Sequence, residues 1–496
     1  MPGALAQLSS FGVQDSYLYS SPQVTMFKSV YRRHTNFALE AITQTFDGGA
    51  DFGRKTSVTL SRNGDLVSRI WLQVTLPDLA AFDITRSDGV AVTATSDVTV
   101  AAGVTSSVAA ADLVGSSASR VWRYTDNIGT NTFAWELDGK VYSNSLMTIE
   151  FTTWPYLTAG RGQPTELVRW CNSVGHALMS SVELEIGGTR IDRHVSEFWD
   201  IWDELTEKDE RRQGLWEMIG KYADATYDST PTRQHSRART LFIPLQFCFN
   251  RHMGLALPII ALAYHQVRLN IEFRPYTELL RATVPVQSLA AKNGGTPPAF
   301  TDVQLYAEYV FLDTPERRRF ATTPHEYLFE QLQFLGDEAV QAGALNRKFQ
   351  LNFNHPVKEL IWVYVPKTYY DPDPQTGNQL FKYHIPGSAN QEIFDTGKLI
   401  LNGNDRFSEM PAQYFRLLQP YHHHTRCPAK KIYTYSFALN PEDIQPSGSL
   451  NYSRVDSAQL SLKLNANVQL GRLKVFAVSY NVLRVQGGMS GLAFAS

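Results

Sequence analysis

Three consecutive histidines, His422, His423 and His424, are the first residues in this chain whose type suggests chemistry. Imidazole is a common ligand for zinc and copper, but a metal needs several donors converging on one point. Consecutive residues of a strand point to opposite faces, and no carboxylate or cysteine stands at ligand spacing, so the triplet reads as loop histidines at a surface or interface. Asp200, Asp203, Glu204, Glu207, Asp209 and Glu210 could supply a carboxylate pair for acid–base work. On an amphipathic helix such a series is ordinarily the solvated face, and that is the expectation. The run Tyr31, Arg32, Arg33, His34 mixes a ring with cations, as nucleic-acid sites do, yet four residues make a small footprint. Together with Phe27 they read as contacts to a neighbouring subunit.

Other motifs add no reaction. Gly294 and Gly295, and Gly487, Gly488 and Gly491, do not follow a strand and open a helix with phosphate-cradling spacing. No GxSxG, HExxH or kinase-like set is present. The expectation is a protein without catalytic residues, cofactor or bound metal. Asn451, Tyr452 and Ser453 form a glycosylation sequon that matters only in a secretory pathway.

Composition narrows the class further. The 496 residues are 43% hydrophobic, 12% aromatic and only 19% charged, which describes globular cores and excludes compositional disorder. Lys plus Arg number 46 against 48 Asp plus Glu, so the basic excess needed to coat a genome is missing. Cys171, Cys248 and Cys427 are too few and too scattered for a disulfide framework, which points to a reducing compartment. The longest apolar run, Leu255 to Tyr264, is short and broken by Pro258, so neither a signal peptide nor a membrane span is expected.

The elements that would position these residues are mostly strands. Alternation recurs in Ile70, Leu72, Val74, Leu76; in Val182, Leu184, Ile186; and in Val267, Leu269, Ile271, Phe273. It returns in Phe349, Leu351, Phe353; in Ile361, Val363, Val365; and in Leu460, Leu462, Leu464. Gly187 and Gly188 suit a tight hairpin turn into Thr189. Helices are few. One opens after Ser196 with Phe198, Ile201, Trp202 and Leu205 on one face, and one begins at Ser21 and Pro22 with Val24, Phe27 and Tyr31 inward. A third has Thr314 as cap, Pro315 in its first turn, Arg317, Arg318 and Arg319 following, and Pro324 as its stop. It places a domain junction at 313–326. Many short strands without regular strand–helix alternation favour sandwiches, two in tandem for this length. Arg54–Pro77 and Arg347–Pro366 echo one another as strand, turn and aromatic-bearing strand ending in proline. Residues 81–162, rich in Ala, Val, Ser, Thr and Gly, read as an inserted surface loop with strand-like pieces at Val121–Tyr124 and Leu146–Phe151.

Several segments resemble one known family. GALAQLSSFGVQDSYLYSSPQVTMFKSVYRRHTNFALE at 3–40, DFGRKTSVTLSRNGDLVSRIWLQVTLP at 51–77 and EYVFLDTPERRRFA at 308–321 are similar to segments of the major capsid proteins of nucleocytoplasmic large DNA viruses. So are LNGNDRFSEMPAQYF, QPYHHHTRCP and IYTYSFALNPEDIQPSGSLNYSRVDSAQLSLKL in the second half. The resemblance implies an all-β chain of two eight-stranded jelly rolls: an arm at 1–40, a first roll at 41–312, a linker helix at 313–326 and a second roll with its tail at 327–496. It implies a structural protein that homotrimerises into pseudo-hexagonal capsomers tiling an icosahedral shell. Neighbouring capsomers and minor capsid and penton proteins are the implied partners. The inner virion membrane would be reached through minor proteins, with no direct genome binding. Assembly would take place in viral factories of the host cytoplasm, and the outer loops could meet host surfaces or glycans. The competing expectation is a jelly-roll carbohydrate-binding protein or glycan-processing enzyme, which would need stacked aromatics or a carboxylate pair in a concave site.

Overall fold

The computed structural model describes residues 3–79, 168–224, 227, 237–281, 297–343, 345–371 and 378–494, together with the backbone of four strands within 89–142. The Leu66–Leu76 strand shows how alternation becomes a layer. Ile70, Leu72, Val74 and Leu76 are at most 1% exposed, while Trp71, Gln73 and Thr75 between them stay half-buried. In the first sandwich the major strands in chain order are Phe37–Gln44, Lys55–Thr59, Leu66–Leu76, Met179–Ile186, Thr189–Val195, Arg239–Pro244, Val267–Phe273 and Asp302–Leu312. The first, eighth, third and sixth form one antiparallel sheet in that order; the fifth, fourth, seventh and second form the other. Gly187 and Gly188 turn the hairpin between Ile186 and Thr189 with φ of 59° and 82°, the left-handed values a primed turn needs.

The second half repeats this order. His325–Val340, Asn346–Gln350, Pro356–Pro366, Phe394–Leu401, Asn404–Asp405, Ile432–Ser436, Ala458–Leu464 and Gly471–Gln486 follow in sequence. Again the first, eighth, third and sixth share one sheet, and the second, seventh, fourth and fifth share the other. Arg54–Pro77 and Arg347–Pro366 therefore each span the second and third strands of their own sandwich.

The Pro356–Pro366 strand is buried on both sides. Leu360, Trp362 and Tyr364 enter the core of the second sandwich. Ile361, Val363 and Val365 face the other way, into a core continuous with the first sandwich that also holds Phe198, Trp202, Phe476 and Val478. Period-two alternation thus sorts one strand between two cores.

Register fixes the polarity of the first sandwich. Phe37 pairs with Leu312, while Thr75 pairs with Asp302 at the opposite end of that eleven-residue strand. The arm and the linker helix consequently leave from one end, and residues following Leu76 leave from the other. Within the inserted stretch Gly89–Val92, Arg120–Thr125, Asn131–Leu137 and Lys140–Tyr142 form a four-stranded sheet. Val121–Tyr124 lies in its second strand, whereas Leu146–Phe151 lies outside the described residues.

Several expectations are corrected. No helix begins at Ser21 and Pro22: Ser21 sits at φ 55°, residues 21–36 have no regular structure, and Val24, Phe27 and Tyr31 are exposed because none of the described residues packs on them. The arm's helices are Gly3–Ser9 and Ser16–Tyr19, and the first strand begins at Phe37, inside the segment 1–40 assigned to the arm. The linker helix Thr314–Thr322 is capped by Asp313, whose carboxylate accepts from the Thr314 amide, rather than by Thr314. Leu351 and Phe353 are buried but lie past the end of their strand at Gln350.

Candidate functional site: an ionic junction and an unpartnered arm

The helix Ser196–Thr206 carries the first feature. Glu197 in its first turn suits the helix dipole, and Phe198, Ile201, Trp202 and Leu205 form its apolar stripe. Phe198 packs towards Phe476 of the second sandwich, ring centroids 6.1 Å apart. The acidic stripe is buried as well: Asp200 is 0% exposed, and Glu197, Asp203 and Glu204 are nearly as enclosed. This overturns the expectation of a solvated face for Asp200, Asp203 and Glu204. It holds only for Asp209 and Glu210, with Glu207 half-buried. The reason is tertiary: the helix lies between two sandwiches, so both of its faces are covered.

Buried carboxylates persist only with partners. Lys221 Nζ lies 3.2 Å from Asp200, 2.8 Å from Asp203 and 2.8 Å from Glu204. From the second half, Lys430 donates to both Asp200 oxygens at 2.7 and 2.8 Å, Arg426 to Glu204 at 2.7 Å and Lys474 to Glu197 at 2.7 Å. Tyr383 donates to Asp200 at 3.3 Å. Burial alone would push Glu197 up, but Lys474 and Arg274 outweigh it and hold its carboxyl at about 2. Burial opposes Lys221 and Lys430 in the same way at Asp200, which also ends at about 2. Burial in turn pulls the neighbouring His176 down to about 4. Groups ionised this firmly and sealed from water are set to hold rather than to exchange protons. What they hold is one sandwich against the other. Neither Glu197 nor the cations Lys221, Lys430 and Lys474 stood out in the sequence. The one local signal is that Glu197, Asp200 and Glu204 share the helical spacing of their apolar neighbours.

The histidine triplet does three different things. It lies at the end of the helix Gln419–His423 rather than in a loop. His422 is exposed, and His423 Nδ1 lies 2.9 Å from the Leu439 carbonyl oxygen. The His424 ring is fully buried, with Nε2 3.1 Å from Glu359 and Nδ1 3.0 Å from Glu442. Burial lowers its pKa, but the two carboxylates together raise it to about 9, so the ring is an imidazolium. Among the described residues no three His, Cys, Asp or Glu side chains gather as a metal would require.

The arm is the second feature. Nearly every side chain from Gly3 to Asn36 is exposed, including Leu8 at 80%, Tyr17 at 91%, Phe27 at 99% and Tyr31 at 89%. Arg32, Arg33 and His34 are exposed beside them and make no ion pair among the described residues.

Two sandwiches of identical strand order, tied through one core and one ionic junction, define the double jelly-roll class of capsid-building proteins. Residues 316–491 match the family model of the large eukaryotic DNA virus major capsid protein, and 25–101 with 144–313 match the major capsid protein N-terminus. The major capsid proteins of Pyramimonas orientalis virus and Phaeocystis pouchetii virus are 37% and 35% identical over 521 and 600 aligned residues, covering 100% of both chains in each case. The quasi-atomic model of the PBCV-1 virus capsid superposes with a TM-score of 0.67 at 28% identity, over 95% of this chain and 100% of that one. The Faustovirus major capsid protein shares the fold at a TM-score of 0.64 and 13% identity, over 97% and 96% of the two chains. The chain belongs to the major capsid protein family of large eukaryotic DNA viruses. It is a structural component of the virion shell, where it assembles with other capsomers.

Proposed function

We propose that this chain homotrimerises and that its trimers, each presenting six jelly rolls in a pseudo-hexagonal outline, tile the facets of an icosahedral shell without catalysing a reaction. The observation that carries this reading is the repetition of one strand order in two sandwiches fused through a shared core, because three such chains give six equivalent blocks. Modest contacts repeated over a lattice then sum to a stable shell. The unit division is taken as an arm ahead of the first strand at Phe37, a first roll to Leu312, a linker at 313–324 and a second roll from His325. Phe27, Tyr31, Arg32, Arg33 and His34 serve as assembly contacts.

The polarity of the first sandwich supports an inward arm, meeting minor capsid and penton proteins above an inner membrane, with 81–162 outward towards host surfaces or glycans. Assembly belongs to cytoplasmic viral factories on this reading. Light scattering and electron microscopy of the purified full chain test it. The expected result is a trimer with a hexagonal outline, its 81–162 density opposite the arm; a monomer at every concentration overturns it.

A further inference from the structure

Among the described residues two surfaces are apolar, exposed and uncovered, and they sit on different sandwiches. One is the arm, whose large apolar side chains from Leu5 to Tyr31 are mostly exposed, the Phe11 and Tyr19 rings meeting only each other at 6.1 Å. The other is a platform on the second sandwich. The chain is π-helical over Tyr414–Leu418 and continues as α-helix over Gln419–His423. Leu417, Leu418 and Tyr421 project from it at 41%, 45% and 74% exposure. Leu439, 71% exposed, is brought alongside by the 2.9 Å contact between its carbonyl oxygen and His423. Singly exposed leucines are ordinary, but a clustered apolar patch marks a binding surface.

The platform is held firmly from beneath. Phe415 is fully buried against Trp362, ring centroids 5.2 Å apart, and the Gln419 side-chain oxygen accepts from the Ser436 amide. Ser436 pairs with Glu359 near the start of the Pro356–Pro366 strand. That is the end of the second sandwich nearer His325, where the chain arrives from the linker helix, and the linker helix leaves the first sandwich at the same end as the arm. Charge adds direction. The loop carrying Leu439 runs on to Asp443, an exposed carboxylate lining a cavity of about 500 Å³ beside Arg251, Glu330 and Glu442; Glu330 is paired with Arg251 and Glu442 with His424, which leaves Asp443 as the carboxylate open to an incoming cation. The arm brings Lys28, Arg32 and Arg33 beside Phe27 and Tyr31, cations and rings together.

We propose that the arm of one copy, residues 3–36, docks on the Tyr414–His423 and Leu439 platform of a second copy, with Arg32 and Arg33 directed at the Asp443 carboxylate. Apolar surface on both partners is removed from water, and the platform needs no rearrangement to receive it. An extended chain of this length reaches on the order of 100 Å, ample for a neighbouring subunit. The inference rests on the assembly reading above.

The test places a benzophenone amino acid at Tyr421 in the full chain, mixes isotopically heavy and light protein, and irradiates the assembled particles. Heavy–light cross-links to peptides within 3–36 are the expected result. Cross-links only to other segments, to an unrelated protein, or only within one copy overturn the proposal. In parallel, L418D with L439D and a deletion of 1–34 should each weaken assembly about tenfold or more, and their combination little further, because both remove one contact. Fully additive losses overturn it as well. Light scattering separates the two readings: particles that assemble with the arm elsewhere sink only the docking, whereas a chain that never leaves the monomer sinks both.

Discussion

A lysine enclosed by three carboxylates sets what single residues do here. Lys221 faces Asp200, Asp203 and Glu204, and without it Lys430 and Arg426 are left to compensate three buried negative charges. Breaking a buried ion pair from one side costs about 3–5 kcal/mol, more than the pair itself contributes over an apolar replacement. Lys221→Met should lower stability by about that amount in urea denaturation; a loss below about 1 kcal/mol would show that the junction does not depend on this cation.

His424 gives the pH dependence its alkaline limb. Its pKa is raised from 6.5 to about 9 in the folded chain, so its contribution is fully present below 6.5 and is lost as pH rises through 9. The acid limb has the opposite origin. Glu197 and Asp200, held at about 2, stabilise the fold above the ordinary carboxylate range and stop doing so as pH falls towards 2. His176, held at about 4, adds to the loss between 6.5 and 4, because the unfolded chain takes up its proton first. Urea midpoints should therefore be highest near neutrality. The gap between wild type and His424→Gln should close as pH passes 9, and a gap unchanged at pH 10 would refute the imidazolium assignment.

Elements differ in how far the sequence announced them. Strands with one wet face were legible because alternation encodes half-burial directly, as at Ile70–Leu76 and Val267–Phe273. The echo between 54–77 and 347–366 was legible because the second and third strands of each roll meet the same packing demands. The acidic face of Ser196–Thr206 was not, since the pattern shows which face is charged but not what covers it. The cations that neutralise it come from as far away as Lys430 and Lys474. The arm failed in the opposite sense: Val24, Phe27 and Tyr31 have helical spacing, yet an amphipathic segment folds only against a surface, and the described residues supply none for it.

Close approach between elements was likewise hidden. A Cβ on Gly471 would come within 2.6 Å of both the Tyr364 hydroxyl and the Val365 carbonyl oxygen, where the strands Gly471–Gln486 and Pro356–Pro366 begin and end their pairing. Backbone cannot yield there as a flexible side chain would. Gly471→Ala should cost about 1–3 kcal/mol in the same denaturation assay, and a neutral result would mean that the two strands can separate at that end without penalty.

At the scale of the whole molecule, the two sandwiches share too much to be independent. Ile361, Val363, Val365, Phe476 and Val478 belong to the second sandwich by hydrogen bonding but to the first by core. Removing the first sandwich would expose that face, strand Lys430 and Arg426 without their buried carboxylates and leave Lys474 only Asp337. Neither half has a complete interior of its own, so opening one should open the other, as expected for a single cooperative unit. Hydrogen exchange in rising urea reads this out. Amides of Leu66–Leu76 and of Pro356–Pro366, one central strand from each sandwich, should lose protection with the same midpoint and the same denaturant slope. If the first strand exchanged while the second stayed protected, the sandwiches would be separable domains, and the buried junction would be an interface between them instead of a core that both require.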